Sequence, residues 1–190
     1  MPITEFLTRN AKQFGRDICL TEINPELDEK TENSWQEYEL VETWRVAGYR
    51  KELTWRAFDY KANQFANLLL ERGVTRGDKV AILLMNCIEW LPLYFGALKA
   101  GVVVVPMNFR YTTEEIRYCL DLADVSVLVF GPEFTERIRG IKGQTPKVHT
   151  WLFVGANAPG CAEDCMALVS ECAPDAPSIP LRDEEDAAIY

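Results

Sequence analysis

From Thr54 onward the chain alternates apolar stripes at helical spacing with short unbroken apolar runs. Trp55, Phe58, Ala62, Phe65, Ala66 and Leu69 recur every three or four residues, which puts them on one face of an α-helix. Thr54 can cap that helix, and Gly73 supplies the left-handed residue that commonly ends one. After a Gly77-Asp78 turn, residues 79–84 form an apolar run suited to a strand buried on both faces. A second helix is expected over 88–99, with Pro92 in its first turn and Gly101 as its stop. Residues 102–105 are four consecutive valines and predict another buried strand. Thr112 and Glu115 have the spacing of a capping box, which starts a third helix through 122. A strand over 125–130, a turn at Gly131-Pro132, a helix over 133–141 and a strand over 148–154 follow. Strand and helix thus alternate at short spacing, and the expected fold class is α/β, a mostly parallel sheet wrapped by helices.

The flanks are less regular. Phe6, Leu7, Ala11 and Phe14 suggest a short amino-terminal helix over 4–14, and a strand follows at 18–20. Residues 22–42 carry eight carboxylates and one lysine, and 38–46 are rich in β-formers. With Gly48 as a turn, 22–50 reads as a surface excursion, a hairpin in outline. Beyond Gly155 the pattern dissolves into Gly, Pro and Ala around a short helix at 165–171. Residues 183–190 then pass from acidic to apolar, as a strand just beginning would.

Composition narrows the function. The 190 residues are 48% apolar and 26% charged, enough for one domain with a real core. A net charge of -9 and a pI near 4.8 argue against a general nucleic-acid binder, which needs a basic stripe facing phosphate. No stretch is apolar for long enough to span a bilayer and no signal peptide is evident, so a cytoplasmic protein is expected. The six cysteines suggest no disulfide framework. Cys161, Cys165 and Cys172 form C-x3-C-x6-C, which fits no common zinc spacing and lacks a fourth ligand.

Four segments in order carry a resemblance. They are Leu53-Thr54-Trp55-Arg56-Ala57-Phe58; 73–82 with Asn86-Cys87-Ile88-Glu89-Trp90; Leu98-Lys99-Ala100-Gly101 through Pro106-Met107-Asn108; and Asn108-Phe109-Arg110-Tyr111 through Glu115 to Asp124. Together they resemble the adenylate-forming superfamily, AMP-forming acyl-CoA synthetases above all, with luciferases and peptide-synthetase adenylation domains as further members. The match is strong over 53–131 and nearly absent from 22–50. It implies the first subdomain of the adenylate-forming fold, with 156–190 as a loop-rich lead-in. It also implies an enzyme that activates a carboxylic acid with ATP as an acyl-adenylate and passes the acyl group to CoA. The acid could be fatty, aromatic or cinnamate-like.

Such chemistry rests on neutralising phosphate charge and aligning the reacting atoms. The family's phosphate loop, S/T-S/T-G-T-T-G-x-P-K, has no counterpart in residues 1–190. The resemblance therefore implies an amino-terminal piece of a longer enzyme. ATP, Mg²⁺ and CoA would serve the whole, none of them bound tightly by this piece, which by itself should be inactive. Another reading keeps the fold without catalysis, as an interaction or dimerisation module, and a homodimer suits either.

No residue here is expected to be catalytic. Arg110 is the one ligand-binding candidate, because in the CoA ligase it resembles the arginine of the N-x-R element contacts phosphates of the CoA nucleotide. The competing reading is a surface arginine paired with Glu114 or Glu115. Asn108 is expected to shape the turn, Trp90, Tyr94 and Phe95 to pack in the core, and His149 to play a structural part within a strand.

Overall fold

The computed structural model describes residues 2–24, 32–36, 39–44, 50–181 and 187–190. Its centre is a five-stranded, all-parallel sheet of β5 (Lys79–Leu83), β6 (Val103–Pro106), β7 (Val125–Phe130), β8 (Thr150–Phe153) and the two-residue β9 (Glu163–Asp164). The strand order is β6-β5-β7-β8-β9. Before it come helix α1 (Ile3–Gln13), an antiparallel pair β1 (Ile18–Ile23) and β4 (Arg50–Thr54), and an antiparallel pair β2 (Glu32–Gln36) and β3 (Glu39–Trp44). An antiparallel pair does lie within 22–50, but it sets Gln36 opposite Glu39, and Arg50–Thr54 pairs with β1, so it is not the hairpin expected to turn at Gly48. The expected turn at Gly48 lies outside the described residues.

Both faces of the sheet are covered, as the unbroken apolar strands require. On one face, α2 (Trp55–Glu71), α3 (Trp90–Lys99) and α6 (Cys165–Glu171) close over Val80, Ile82, Val104, Val129 and Leu152. On the other, α4 (Thr113–Leu122) and α5 (Thr135–Ile141) close over Ala81, Leu83, Val105, Leu128 and Phe130. The path from β5 through α3 to β6 moves outward along the sheet. The path from β6 through α4 to β7 returns across β5. Right-handed crossovers that wind in opposite directions must place their helices on opposite faces, and α3 and α4 are so placed.

Local signals set the helix ends. The Thr54 side chain accepts a hydrogen bond from the Ala57 N–H at 3.2 Å and caps α2. α2 and α3 finish alike: Gly73 (φ +77°) and Gly101 (φ +71°) donate to Leu70 and Leu98, and Val74 and Val102 behind them donate to Leu69 and Ala97. This is the Schellman arrangement, and its positive φ is why glycine stands at each position.

Several element boundaries shift by a residue or more from the sequence expectation, three of them beside the strands of the parallel sheet. α3 begins at Trp90 rather than 88, because residues 84–89 form a loop leaving the sheet. A 3-10 turn at Pro132–Phe134 precedes α5. β8 begins at Thr150, so His149 is exposed beside the strand, its Nδ1 3.0 Å from Thr150 Oγ1. The apolar residues at 187–189 do meet the sheet. Val104 N–H donates to Ala187 O (3.0 Å) and Ile189 N–H to Val104 O (2.9 Å), a parallel bridge on the edge of β6.

Candidate functional site

The loops that follow β5, β6, β7 and β8 share one rim, the carboxyl end of the sheet. The chain reverses its winding at β5, between β6 and β7, and in open parallel sheets that reversal leaves a crevice where ligands bind. A cleft of about 370 Å³ lies there, with Leu84, Gly131 and Val154 from the strand ends and Glu22, Lys51 and Glu133 among its lining. Glu22 ties the β1–β4 pair to the rim. One carboxylate oxygen accepts from the Ile88 N–H at 2.7 Å, and the other lies 3.3 Å from Lys51 Nζ. Burial, aided by the Glu89 carboxylate, pushes the Cys87 thiol up to about 11, so at neutral pH it is protonated and a poor nucleophile.

Arg110 stands on the same rim, in the loop between β6 and α4. Its backbone N–H donates to Asn108 Oδ1 at 2.9 Å, and Tyr111 N–H donates to Asn108 O at 3.0 Å. Asn108 thus shapes the turn, as expected. Two residues on, the capping box forms in full: Glu115 accepts from Thr112 N–H (2.7 Å) and Oγ1 (2.8 Å), and the Thr112 hydroxyl accepts from Glu115 N–H. Those bonds favour the charged carboxylate and hold Glu115 below the usual range.

The partners that spacing offers to Arg110 are therefore taken. Glu115 serves the cap, and Glu114 pairs with Arg117 at 3.1 Å. The Arg110 guanidinium instead lies over the Phe109 ring, 5.3 Å from its centroid, and both side chains are exposed. Among the described residues it has no ion pair. A planar guanidinium so placed can donate several hydrogen bonds to a phosphate.

Two groups missed by sequence reasoning matter here. Arg137 of α5 donates from Nη1 to the carbonyls of Phe109 (3.1 Å) and Tyr111 (2.9 Å), on either side of Arg110. Lys99, in the Leu-Lys-Ala-Gly segment, is only 5% exposed, with Nζ 2.6 Å from Asp59 Oδ1 and from Asn63 Oδ1 and 3.3 Å from Thr8 Oγ1. That lysine is a core residue.

The other candidates are dispersed. Trp90 and Tyr94 stack at 5.3 Å and, half-buried, pack against the core, while Phe95 meets Phe58 edge-on. All six cysteines are free, and Cys165 is fully buried in the core with its thiol pushed far up by desolvation. Among the described residues no three His, Cys, Asp or Glu side chains converge as metal ligands, and no helix is long and apolar enough to cross a membrane.

A family model described as AMP-binding enzyme matches residues 29–189. The chain belongs to that family. Among its relatives is the medium/long-chain-fatty-acid–CoA/3-oxocholest-4-en-26-oate–CoA ligase of Mycobacterium marinum, 36% identical over 104 residues, 55% of this chain and 19% of that protein. The crotonobetaine/carnitine–CoA ligase of Salmonella paratyphi A is 33% identical over 126 residues, 65% of this chain and 24% of that one. Two solved structures share the fold. An anthranilate CoA ligase in complex with anthranoyl-AMP matches 99% of this chain and 32% of its own at a TM-score of 0.80 and 21% identity. A fatty acyl CoA synthetase of Mycobacterium tuberculosis matches 98% of this chain and 31% of its own at a TM-score of 0.74 and 23% identity. The chain spans about a fifth to a quarter of the length of the two curated relatives named here. In this AMP-binding enzyme the parallel sheet and its helices are the part described, and Arg110 stands at its rim.

Proposed function

We propose that these residues form the amino-terminal subdomain of an ATP-dependent carboxylic acid–CoA ligase, acting in the cytoplasm. The whole enzyme condenses a carboxylic acid with ATP to an acyl-adenylate and pyrophosphate. The CoA thiol then displaces AMP and leaves the thioester. The relatives named above are CoA ligases, which supports this reading over other activities of the superfamily. We assign ATP and Mg²⁺ to segments outside these residues, on the ground that the family's phosphate loop has no counterpart in residues 1–190. CoA does meet this subdomain, through its nucleotide phosphates at Arg110.

The observation that carries the reading is Arg110 itself. It is an exposed guanidinium on a pinned loop at the carboxyl rim, with both neighbouring carboxylates engaged elsewhere. In the full-length protein, Arg110→Ala should raise the KM for CoA about ten- to a hundredfold, the equivalent of one charge-assisted hydrogen bond. Acid- and ATP-dependent pyrophosphate release should stay near the unmodified rate. Equal losses in both half-reactions would assign Arg110 to folding instead.

A further inference from the structure

The loop that carries Arg110 is held more firmly than a short surface connection requires. Asn108 closes it from within, through its side chain to the Arg110 N–H and its carbonyl to the Tyr111 N–H. The capping box fixes its exit into α4. A third restraint comes from across the rim. Arg137 reaches from α5 and donates from one nitrogen to the two carbonyls that flank Arg110. Its own guanidinium lies 5.7 Å from the centre of the Phe134 ring, and Phe134 is 1% exposed, so the arm is backed by the core. Asn108 and the capping box alone would complete the turn. What Arg137 adds is a fixed orientation for the 109–110 and 111–112 peptide units, which bracket Arg110 and Tyr111, and so for the backbone from which the Arg110 side chain starts.

We infer that Arg137 is a positioning residue for the CoA step: it holds the Phe109–Tyr111 backbone so that the Arg110 guanidinium is presented to the nucleotide phosphates before they arrive. This rests on the assignment of Arg110 to CoA. A ligand-binding arginine on a loose loop would lose conformational freedom on binding, and a loop already fixed avoids most of that cost. Arg137 Nη1 is committed to backbone carbonyls, so the role inferred for it is exerted through Arg110.

The test uses two thiol acceptors with the full-length enzyme. CoA carries the nucleotide phosphates, and pantetheine presents the same thiol arm without them. Arg137→Gln should lower the ratio of kcat/KM for CoA to that for pantetheine roughly tenfold, the equivalent of about one lost hydrogen bond. The change should fall in KM for CoA, with pantetheine kinetics and the melting temperature nearly unmoved. Arg137→Lys, which can still donate to one carbonyl, should recover part of the ratio. If Arg110→Ala collapses the ratio and Arg137→Gln leaves it intact, the positioning role is overturned while the Arg110 assignment stands. If neither variant moves the ratio, the Arg110 assignment fails and takes this inference with it. A loss with both acceptors, matched by a fall in melting temperature, would reduce Arg137 to a structural clamp and overturn the inference.

Discussion

Replacing Lys99 with alanine should destabilise the fold by about 3–5 kcal/mol, the range for removing one member of a buried ion pair. Lys99 and Asp59 are 5% and 8% exposed, and their charged atoms are 2.6 Å apart. The network joins three helices: Thr8 from α1, Asp59 and Asn63 from α2, and Lys99 from α3. Asn63 also reaches Pro174 O at 2.8 Å, which draws the segment after α6 onto the same spot. Without the ammonium, the Asp59 carboxylate would keep, among the described residues, the Thr8 hydroxyl at 3.2 Å. A charge left so poorly compensated in the interior costs more than the pair itself contributes. The double change Lys99→Met with Asp59→Leu should therefore recover much of the loss, because apolar groups of similar size leave no charge unpaired. Urea denaturation measures both. A loss below about 1 kcal/mol for Lys99→Ala, the usual scale of an exposed pair, would show that the site is wet and the network marginal.

Gly96→Ala should also destabilise, although alanine is the better helix former by about 1 kcal/mol. A Cβ at Gly96 would lie 2.6 Å from the Ala62 carbonyl oxygen and 2.9 Å from Phe65 Cβ. The first obstacle is backbone, and Phe65 is fully buried, so neither can step aside cheaply. α2 and α3 must move apart, and overpacking of this kind typically costs about 1–3 kcal/mol or more. The clash outweighs the gain in propensity, and a net loss of about 2 kcal/mol is expected. Thermal unfolding checks the sign, and a melting temperature raised by the alanine would mean that the helices are not in close contact at Gly96.

The sequence made the fold legible where a local signal had no competitor. Gly73 and Gly101 stop their helices because only a residue at ease with positive φ completes the terminal hydrogen bonds. The valine run at 102–105 has no amphipathic period, and a strand covered on both faces needs none. Boundaries slipped where a turn intervened, as at 88–89, where the chain must first leave the sheet before it can coil.

The site was legible only in part. The loop that carries Arg110 could be placed from its segment, but the spacing that offered Arg110 the carboxylates of Glu114 and Glu115 misled. Thr112 and Glu115 already signalled a capping box, so one of those carboxylates was spoken for in the sequence itself. Arg137 gave no signal, because its contact runs from α5 to a loop earlier in the chain, which periodicity cannot bring together. The same holds for Lys99. Asp59 and Asn63 read as polar interruptions of the α2 stripe until α1 and α3 are seen to close around them.

Acyl transfer by the full-length protein is the most direct test of the ligase reading. Supplied with ATP, Mg²⁺, CoA and a panel of fatty and aromatic carboxylic acids, it should release pyrophosphate and AMP in step with formation of one CoA thioester. Residues 1–190 alone should release neither. Turnover by these residues alone would show that the chemistry lies within them. A full-length protein inert toward every acid would mean a fold kept for docking or dimerisation, and the ligase reading would be wrong.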